Sequence, residues 1–423
     1  MPANNPQPPT PNRTPSRRLK VLISAYACEP GKGSEPGVGW NLSKEMADHH
    51  DVWVLTRSNN RKVIEAELET HPVDGLHFIF YDLPMWACWW KKGGRGVQLY
   101  YYLWQLCSAK TIRIANKSVG FDLGHHLTFG KCNSPSGLAL ASIPYYLGPI
   151  GGGDVCPWGL ISSMGLLGGS IEIIRKLYLW ISQFDPMVLK TIRRCNLASG
   201  STPATEQFLN RCGCSNTAQY LQMGISEDRL LRHPKTIPAT GENKKLSLLS
   251  IGRLVHWKGF HLAIQAIAKS GIECEYVILG EGPERARLER MVKKLGLQNK
   301  IKLLGQVSFH QINDYVVASD LLLHPAIHDQ APTCVLEALA TGTPVVAVAS
   351  GGVPFQVGDA GIIVPLVSNK SLVSALGNAI VQLDQDRELL RELGGNALKQ
   401  VEHYVWSRKA DRIADFYMKV LED

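Results

Sequence analysis

Cys-x-x-Cys pairs, uninterrupted apolar runs and nucleic-acid-binding signatures are all missing from this 423-residue chain. No apolar stretch approaches the roughly 18 residues that a membrane-spanning helix needs. Ten cysteines are scattered along the chain, and only Cys212 and Cys214 lie close together. That pattern excludes a disulfide framework and a zinc-ligand spacing, and it fits buried thiols of a reducing compartment. No metal is expected. Residues 1–18 hold six prolines and no apolar segment. They lack the core of a secretion signal and are expected to form a disordered tail, with the protein in the cytoplasm. The formal charge of +8 is mild and dispersed. With no zinc-finger spacing, basic helix or RRM-like aromatic pattern, nucleic acid is not an expected partner. A positive balance of this size favours nucleotides or an anionic membrane surface.

What is present is a strand–helix alternation, written twice. Leu19–Tyr26, Asp51–Thr56, Leu76–Phe80, Leu123–His125, Tyr145–Leu147 and Leu197–Ser199 read as strands, with helices at Trp40–His49, Ile171–Arg194 and Thr202–Cys212. After the polar stretch 238–245 the pattern restarts. Strands are expected at Leu246–Ile251, Tyr276–Leu279, Lys302–Leu304, Leu321–His324, Val345–Ala349 and Ile362–Val364. Helices are expected at Phe260–Lys269, Glu284–Leu295, His310–Ala318 and Val335–Ala340. Short β-branched runs between helices indicate buried parallel sheets. The fold class is α/β, with two doubly wound domains. The expected divisions are a tail at 1–18, a first domain at 19–238, a second at 239–400 and a terminal helix at 401–423.

Loops after parallel strands build ligand crevices, and three such loops carry charge or glycine in the second half. Arg253 and Lys258 follow the strand ending at Ile251. They can neutralise a diphosphate, or they can be a solvated surface pair. Asp329 lies in the loop after Leu321–His324, and Glu337 on the helix that follows. The amides of Ala331–Val335, a run that includes Pro332, Thr333 and Cys334, would open that helix as an anion site. Glu337 is an acid on an apolar helix, so it needs a partner: either a ribose or an internal salt bridge. Gly280 and Glu281 follow a strand, where a glycine permits close backbone approach to a flat ligand or simply makes a turn. In the first half, Gly31–Gly39 holds Gly33 and Ser34 at a helix start. His126 closes a strand. Residues 86–104 mix aromatics with Lys91, Lys92 and Arg95 and no acid. They fit a membrane interface, or a core with solvated cations.

SIGRLVHWKG, VILGEGPER, HPAIHDQAPTCVLEALATGTPVVAVASGGVPF and ISAYACEPGKGSEPGVGW together resemble retaining glycosyltransferases of family 4. That resemblance covers the chain from Leu19 onward and implies a GT-B fold of two facing Rossmann-like domains, with the terminal helix packing back on the first. It implies that Arg253 and Lys258 bind a donor diphosphate, Glu337 a ribose and Asp329 the donor sugar. Gly252, Gly280, Glu281, Pro332, Thr333, Cys334 and Val335 would line the donor site. Gly33, Ser34 and His126 would approach it from the other domain. The implied reaction is metal-independent hexosyl transfer without a cofactor. The donor is a nucleotide-diphosphate sugar. The acceptor is a glycan or lipid-linked oligosaccharide of cell-surface polysaccharide synthesis, with possible peripheral contact to an anionic membrane. Asp329 stands where the family usually has Glu, one methylene longer. Gln330-Ala-Pro replaces a glycine and an aromatic, so sugar identity does not carry over. A non-catalytic donor-binding module and a nucleotide-sugar epimerase on the same fold remain as alternatives.

Overall fold

The computed structural model describes residues 17–91, 95–161, 164–231 and 245–422. Its strands assemble into two fully parallel sheets. The first contains β1 (Lys20–Ala25), β2 (Asp51–Thr56), β3 (Leu76–Phe80), β4 (Leu123–Thr128), β5 (Tyr145–Ile150), β6 (Leu197–Gly200) and β7 (Thr217–Gln219), in the order β3-β2-β1-β4-β5-β6-β7. The second contains β8 (Leu246–Ile251), β9 (Cys274–Leu279), β10 (Ile301–Gly305), β11 (Leu321–His324), β12 (Val345–Val348) and β13 (Gly361–Val364), in the order β10-β9-β8-β11-β12-β13. Strand order reverses at β1/β4 in one sheet and at β8/β11 in the other. Such reversals are where open α/β sheets place ligands, beyond the carboxyl ends of the strands.

The chain divides into two compact units. The first unit takes the chain up to Asp154, Leu177–Gly224 and Trp406–Asp423, and the second takes Val155–Lys176 and Ile225–Val405. Val155–Lys176 thus belongs with the second sheet, although it precedes β6 in sequence. Cys156, Leu160 and Met164 are buried among Leu246, Leu248, Phe260 and Ile278 of that unit's core. Burying each such side chain contributes about 1.5–3 kcal/mol. The boundary expected near 238 falls outside the described residues, as do residues 1–16 of the expected tail. Arg17 and Arg18 depart from the disorder expected of them. Arg17 pairs with Asp122 at 2.6 Å, and Arg18 donates to the carbonyls of Ala47 and His50 at 2.7 and 2.8 Å.

Two helices differ from expectation for local reasons. The single helix expected over Ile171–Arg194 is two, Gly165–Ser182 and Pro186–Arg194. Asp185 ends the run because its carboxylate caps Met187 N–H at 2.7 Å and Pro186 follows as the first helical residue. The terminal helix, Trp406–Glu422, buries Trp406, Ile413, Phe416, Tyr417 and Val420 in the core of the first unit, against Val38, Leu42 and Tyr146. None of the ten cysteines forms a disulfide, and seven are buried. The neighbour of Cys214 is Cys195, 3.7 Å away, rather than Cys212.

Candidate functional site

In the second unit the strand reversal sets two loops side by side. The loop after β8 carries Gly252, Arg253, a 3-10 turn at His256–Lys258, and then Gly259. The loop after β11 carries Pro325 to Pro332 and leads into the helix Thr333–Ala340. Backbone contacts pin them together: Ile327 N–H donates to Trp257 carbonyl at 2.8 Å. At Gly259 (φ +68°) a Cβ would stand 2.0 Å from the carbonyl oxygen of Pro325, so only glycine allows this approach.

The chemistry concentrates where the loops meet. Lys258 donates to Asp329 Oδ2, and His324 Nε2, at the end of β11, lies 3.2 Å from the same oxygen. His324 Nδ1 in turn lies 3.7 Å from the thiol of Cys334. Burial opposes ionisation of Asp329, but the Lys258 charge and the His324 contact outweigh it and hold the carboxyl well below its usual range. Lys258 is raised: its desolvation is overcome by the charge of Asp329. Burial pushes the Cys334 thiol up to about 12, so it is a packed, neutral group. Arg253 is exposed, and its side chain makes no ion pair among the described residues. The site therefore holds one cation paired with an acid and one cation turned to solvent.

Glu337 has an internal partner. Arg229 Nη1, in a 3-10 turn at Glu227–Arg229, lies 3.7 Å from Glu337 Oε1. Burial nevertheless dominates and raises the Glu337 carboxyl, with Arg229 opposing. At 3.7 Å the pair is loose, and Glu337 retains acceptor capacity for a hydroxyl.

Several expected site residues have other roles. Gly280 (φ +135°) meets backbone rather than a ligand, since a Cβ there would stand 2.0 Å from Gly252 carbonyl oxygen. It locks the loop after β9 against the loop bearing Arg253. Glu281 is exposed in the loop after β9 and bonds Arg285, at the start of the helix that follows. Pro332 caps the helix Thr333–Ala340, and its carbonyl accepts from Val335 N–H at 3.2 Å and Gln356 Nε2 at 3.1 Å. The Val335 amide is therefore already used. Thr333 is half-buried, and the helix start has no side-chain cap.

In the first unit, Gly33 and Ser34 are exposed at the start of the helix Ser34–His49, and Ser34 adopts a left-handed φ of 57°. The adjoining Glu35 accepts from Phe129 N–H at 2.7 Å, and burial raises its carboxyl. His126 makes its contacts inside the unit. It is buried, with Nε2 3.0 Å from Tyr101 Oη and Nδ1 2.9 Å from Ser136 Oγ. Burial pushes its ring down to about 4, and both nitrogens are spent within the unit. Residues 86–104 divide: Tyr100, Tyr101 and Trp104 are core, whereas Trp86 and Trp89 are exposed, and Lys92 is outside the described residues.

Sequence reading missed Arg229, His324, Glu172 and His256. Glu172, on the helix Gly165–Ser182, is 2% exposed, with Oε1 3.6 Å from Nε2 of His256 in the loop after β8. Gly168, on the same helix, lets the His256 ring pack against the helix backbone. A contact across 84 positions leaves no local pattern. For Arg229 the one available signal was the need of Glu337 for a counterion.

Residues 234–400 match the family model described as glycosyl transferases group 1. The chain is 27% identical over 235 residues to a putative colanic acid biosynthesis glycosyltransferase, WcaL, of Escherichia coli (strain K12), covering 53% of this chain and 56% of that protein. It is 31% identical over 147 residues to a 2-deoxystreptamine glucosyltransferase of Streptomyces kanamyceticus, covering 34% of this chain and 38% of that one. The chain thus spans about half the length of the first relative and less of the second. Among solved structures, Anabaena Alr3699/HepE in complex with UDP and glucose superposes with a TM-score of 0.61 at 19% identity, covering 95% of this chain and 100% of that one. Sucrose-phosphate synthase from Thermosynechococcus elongatus gives 0.63 at 18%, covering 96% and 100%. These likenesses show the fold, which is that of GT-B glycosyltransferases.

Proposed function

We propose that this chain, which carries a glycosyl transferases group 1 domain over residues 234–400, is a retaining glycosyltransferase using a nucleotide-diphosphate sugar. The observation that carries the reading is the Lys258–Asp329–His324 network, set beside the free Arg253 at the strand reversal of the second unit. Arg253 and Lys258 supply the positive charge a diphosphate leaving group needs, so the role often given to a metal falls to side chains. Glu337 holds the ribose. Asp329, fixed from two sides, faces the donor sugar, and its shorter side chain is positioned by Lys258 and His324. No cofactor takes part.

The reaction proceeds on one face of the sugar. The bond from the anomeric carbon to the phosphate oxygen breaks as the acceptor hydroxyl oxygen bonds the same carbon. The acceptor proton passes to the departing phosphate. Among the described residues no second carboxylate is identified for a covalent intermediate, which favours this path over double displacement. The acceptor is a glycan or lipid-linked oligosaccharide of cell-surface polysaccharide synthesis, a reading supported by the likeness to the colanic acid relative. The absence of disulfides among the described residues supports a cytoplasmic location. A lipid-linked acceptor makes the enzyme peripheral at the inner face of a membrane.

The test is incubation with UDP-, GDP- and ADP-sugars and lipid-linked glycan acceptors, with product stereochemistry read by NMR. Transfer with the donor's anomeric configuration kept is expected. Inverted product contradicts retention. Nucleoside diphosphate released at full rate without acceptor points to the epimerase alternative. Bound donor that is never consumed points to the non-catalytic one.

A further inference from the structure

Cys195 and Cys214 meet through strand register, not through sequence spacing. Cys195 follows the helix Pro186–Arg194 and precedes β6. Cys214 follows the helix Pro203–Arg211 and the turn at Gly213, and precedes β7. β6 and β7 pair in parallel, with Ala198 opposite Thr217. Each cysteine therefore stands three residues ahead of a paired position, at the amino ends of neighbouring strands. The two sulfurs are 3.7 Å apart. Adjacent strands lie about 4.8 Å apart, inside the roughly 4.4–6.8 Å that a disulfide spans between Cα atoms.

Three features distinguish this pair from the packed thiols elsewhere. The first is room to close. The sulfurs must approach to about 2.05 Å. The segment that moves is the turn around Gly213 (φ +95°), where Gly213 and Ser215 are exposed. The second is the state of the thiols. Cys195 Sγ donates to the Ile192 carbonyl at 3.1 Å, and Cys214 Sγ to the Asn216 carbonyl at 3.4 Å. When Cys214 ionises, the Cys195 proton can turn to it, and that hydrogen bond holds the Cys214 thiol down to about 7 against its burial. Cys195 is raised by the same hydrogen bond and by burial. One sulfur is thereby a nucleophile and the other keeps its proton, the asymmetry that thiol oxidation uses. Burial instead pushes the Cys274 thiol up to about 11, as it raises that of Cys334. The third is access. Cys195 is half-buried, and its neighbours Arg193 and Arg194 are exposed.

We propose that Cys195 and Cys214 are an oxidisable dithiol, closed by hydrogen peroxide into a reversible disulfide that clasps β7 to β6. The Cys214 thiolate attacks one peroxide oxygen, and the O–O bond breaks. The departing hydroxide takes a proton and leaves as water, with a sulfenic acid formed on Cys214. The Cys195 sulfur then attacks the Cys214 sulfur. The S–O bond breaks, and the hydroxyl leaves as a second water with the Cys195 proton. Both sulfurs are oxidised and the peroxide is reduced. A dithiol reductant reverses the step by exchange.

What the clasp secures is the edge of the first sheet. β7 ends the strand order, has three half-buried residues and pairs with β6 alone among the described strands. Both cysteines belong to the first unit, whereas Lys258 and Asp329 belong to the second, so the site does not rest on the proposed donor chemistry.

The full reduced chain is treated with graded hydrogen peroxide, quenched with N-ethylmaleimide, digested and mapped by mass spectrometry. The expected product is a Cys195–Cys214 linked peptide, formed while the exposed Cys107 is still alkylated, and lost on treatment with dithiothreitol. The melting midpoint should rise by roughly 5–10 °C on oxidation. Cys195→Ser should lose both the link and the rise, whereas Cys212→Ser should keep the link. No link at peroxide levels that already oxidise Cys107 overturns the proposal, as does a link from Cys214 to Cys212. A link that forms without raising the midpoint overturns the clasp. The map is made on wild type, so a variant that fails to fold leaves it decisive.

Discussion

Asp329 Oδ2 serves two partners at once, the ammonium of Lys258 from the loop after β8 and His324 Nε2 at 3.2 Å from the end of β11. One carboxylate thereby ties together the two central strands of the second sheet at the point where strand order reverses. The acid one methylene shorter than the family's usual residue is held rigidly.

Lys258→Ala should lower turnover by about two to three orders of magnitude, the usual effect of losing one preorganised charge at a developing anion. Circular dichroism should show the fold retained. Near-normal turnover would remove Lys258 from the leaving-group role.

The same pair gives a pH signature. The folded-state carboxyl of Asp329 is depressed, so its stabilising contribution is complete above the ordinary carboxylate range, near 3.9, and is lost as pH falls below it. Urea unfolding of wild type and Asp329→Asn should differ by about 3 kcal/mol at neutral pH, because the substitution leaves Lys258 buried without its counterion. The gap should shrink as pH falls below about 4. A gap independent of pH would mean that the ion pair contributes nothing.

Glu172 Oε1 lies 3.6 Å from His256 Nε2, so substitution at Glu172 tests whether this contact positions the loop after β8. Glu172→Ala should raise the KM for the donor more than it lowers kcat, because the loop after β8 loses its support while its cations remain. Glu172→Gln, which keeps the side chain's volume beside the imidazole, should restore most of the affinity. Identical defects in both variants, confined to thermal stability, would reduce the pair to a packing role.

Gly280→Ala tests the backbone contact between the loops after β8 and β9. The φ of +135° and the 2.0 Å approach to Gly252 carbonyl together predict a loss of about 1–3 kcal/mol in stability. Donor affinity should fall with it, since Gly252 must move. An alanine variant with wild-type melting would show that the loops yield freely.

Much of this architecture was legible from the chain. β2, β3, β8 and β11 coincide with the runs read as strands, because each is a short, mostly apolar run between segments of different character. β7 (Thr217–Gln219) was missed, having only three half-buried residues. The helix Val97–Val119 was masked by its own aromatics: Tyr100, Tyr101 and Trp104 serve the core, which composition alone could not separate from an interfacial belt. The acids and cations of the second unit were visible because they follow the carboxyl ends of parallel strands, where ligand crevices form. Their partners were not. Arg229, His324 and Glu172 reach Glu337, Asp329 and His256 through tertiary packing, and nothing in the spacing of those residues announces it. The same holds for His126: a histidine closing a strand is visible in the sequence, but its bonds to Tyr101 and Ser136 are not.

The most direct test of the donor site is calorimetric titration of wild type and Glu337→Ala with UDP, GDP and ADP. Saturable binding of one nucleotide by wild type, lost or strongly weakened in the variant, is the expected result, and it would name the base. Failure of all three to bind, or binding that ignores the Glu337 substitution, would contradict a donor site built on Arg253, Lys258, Asp329 and Glu337.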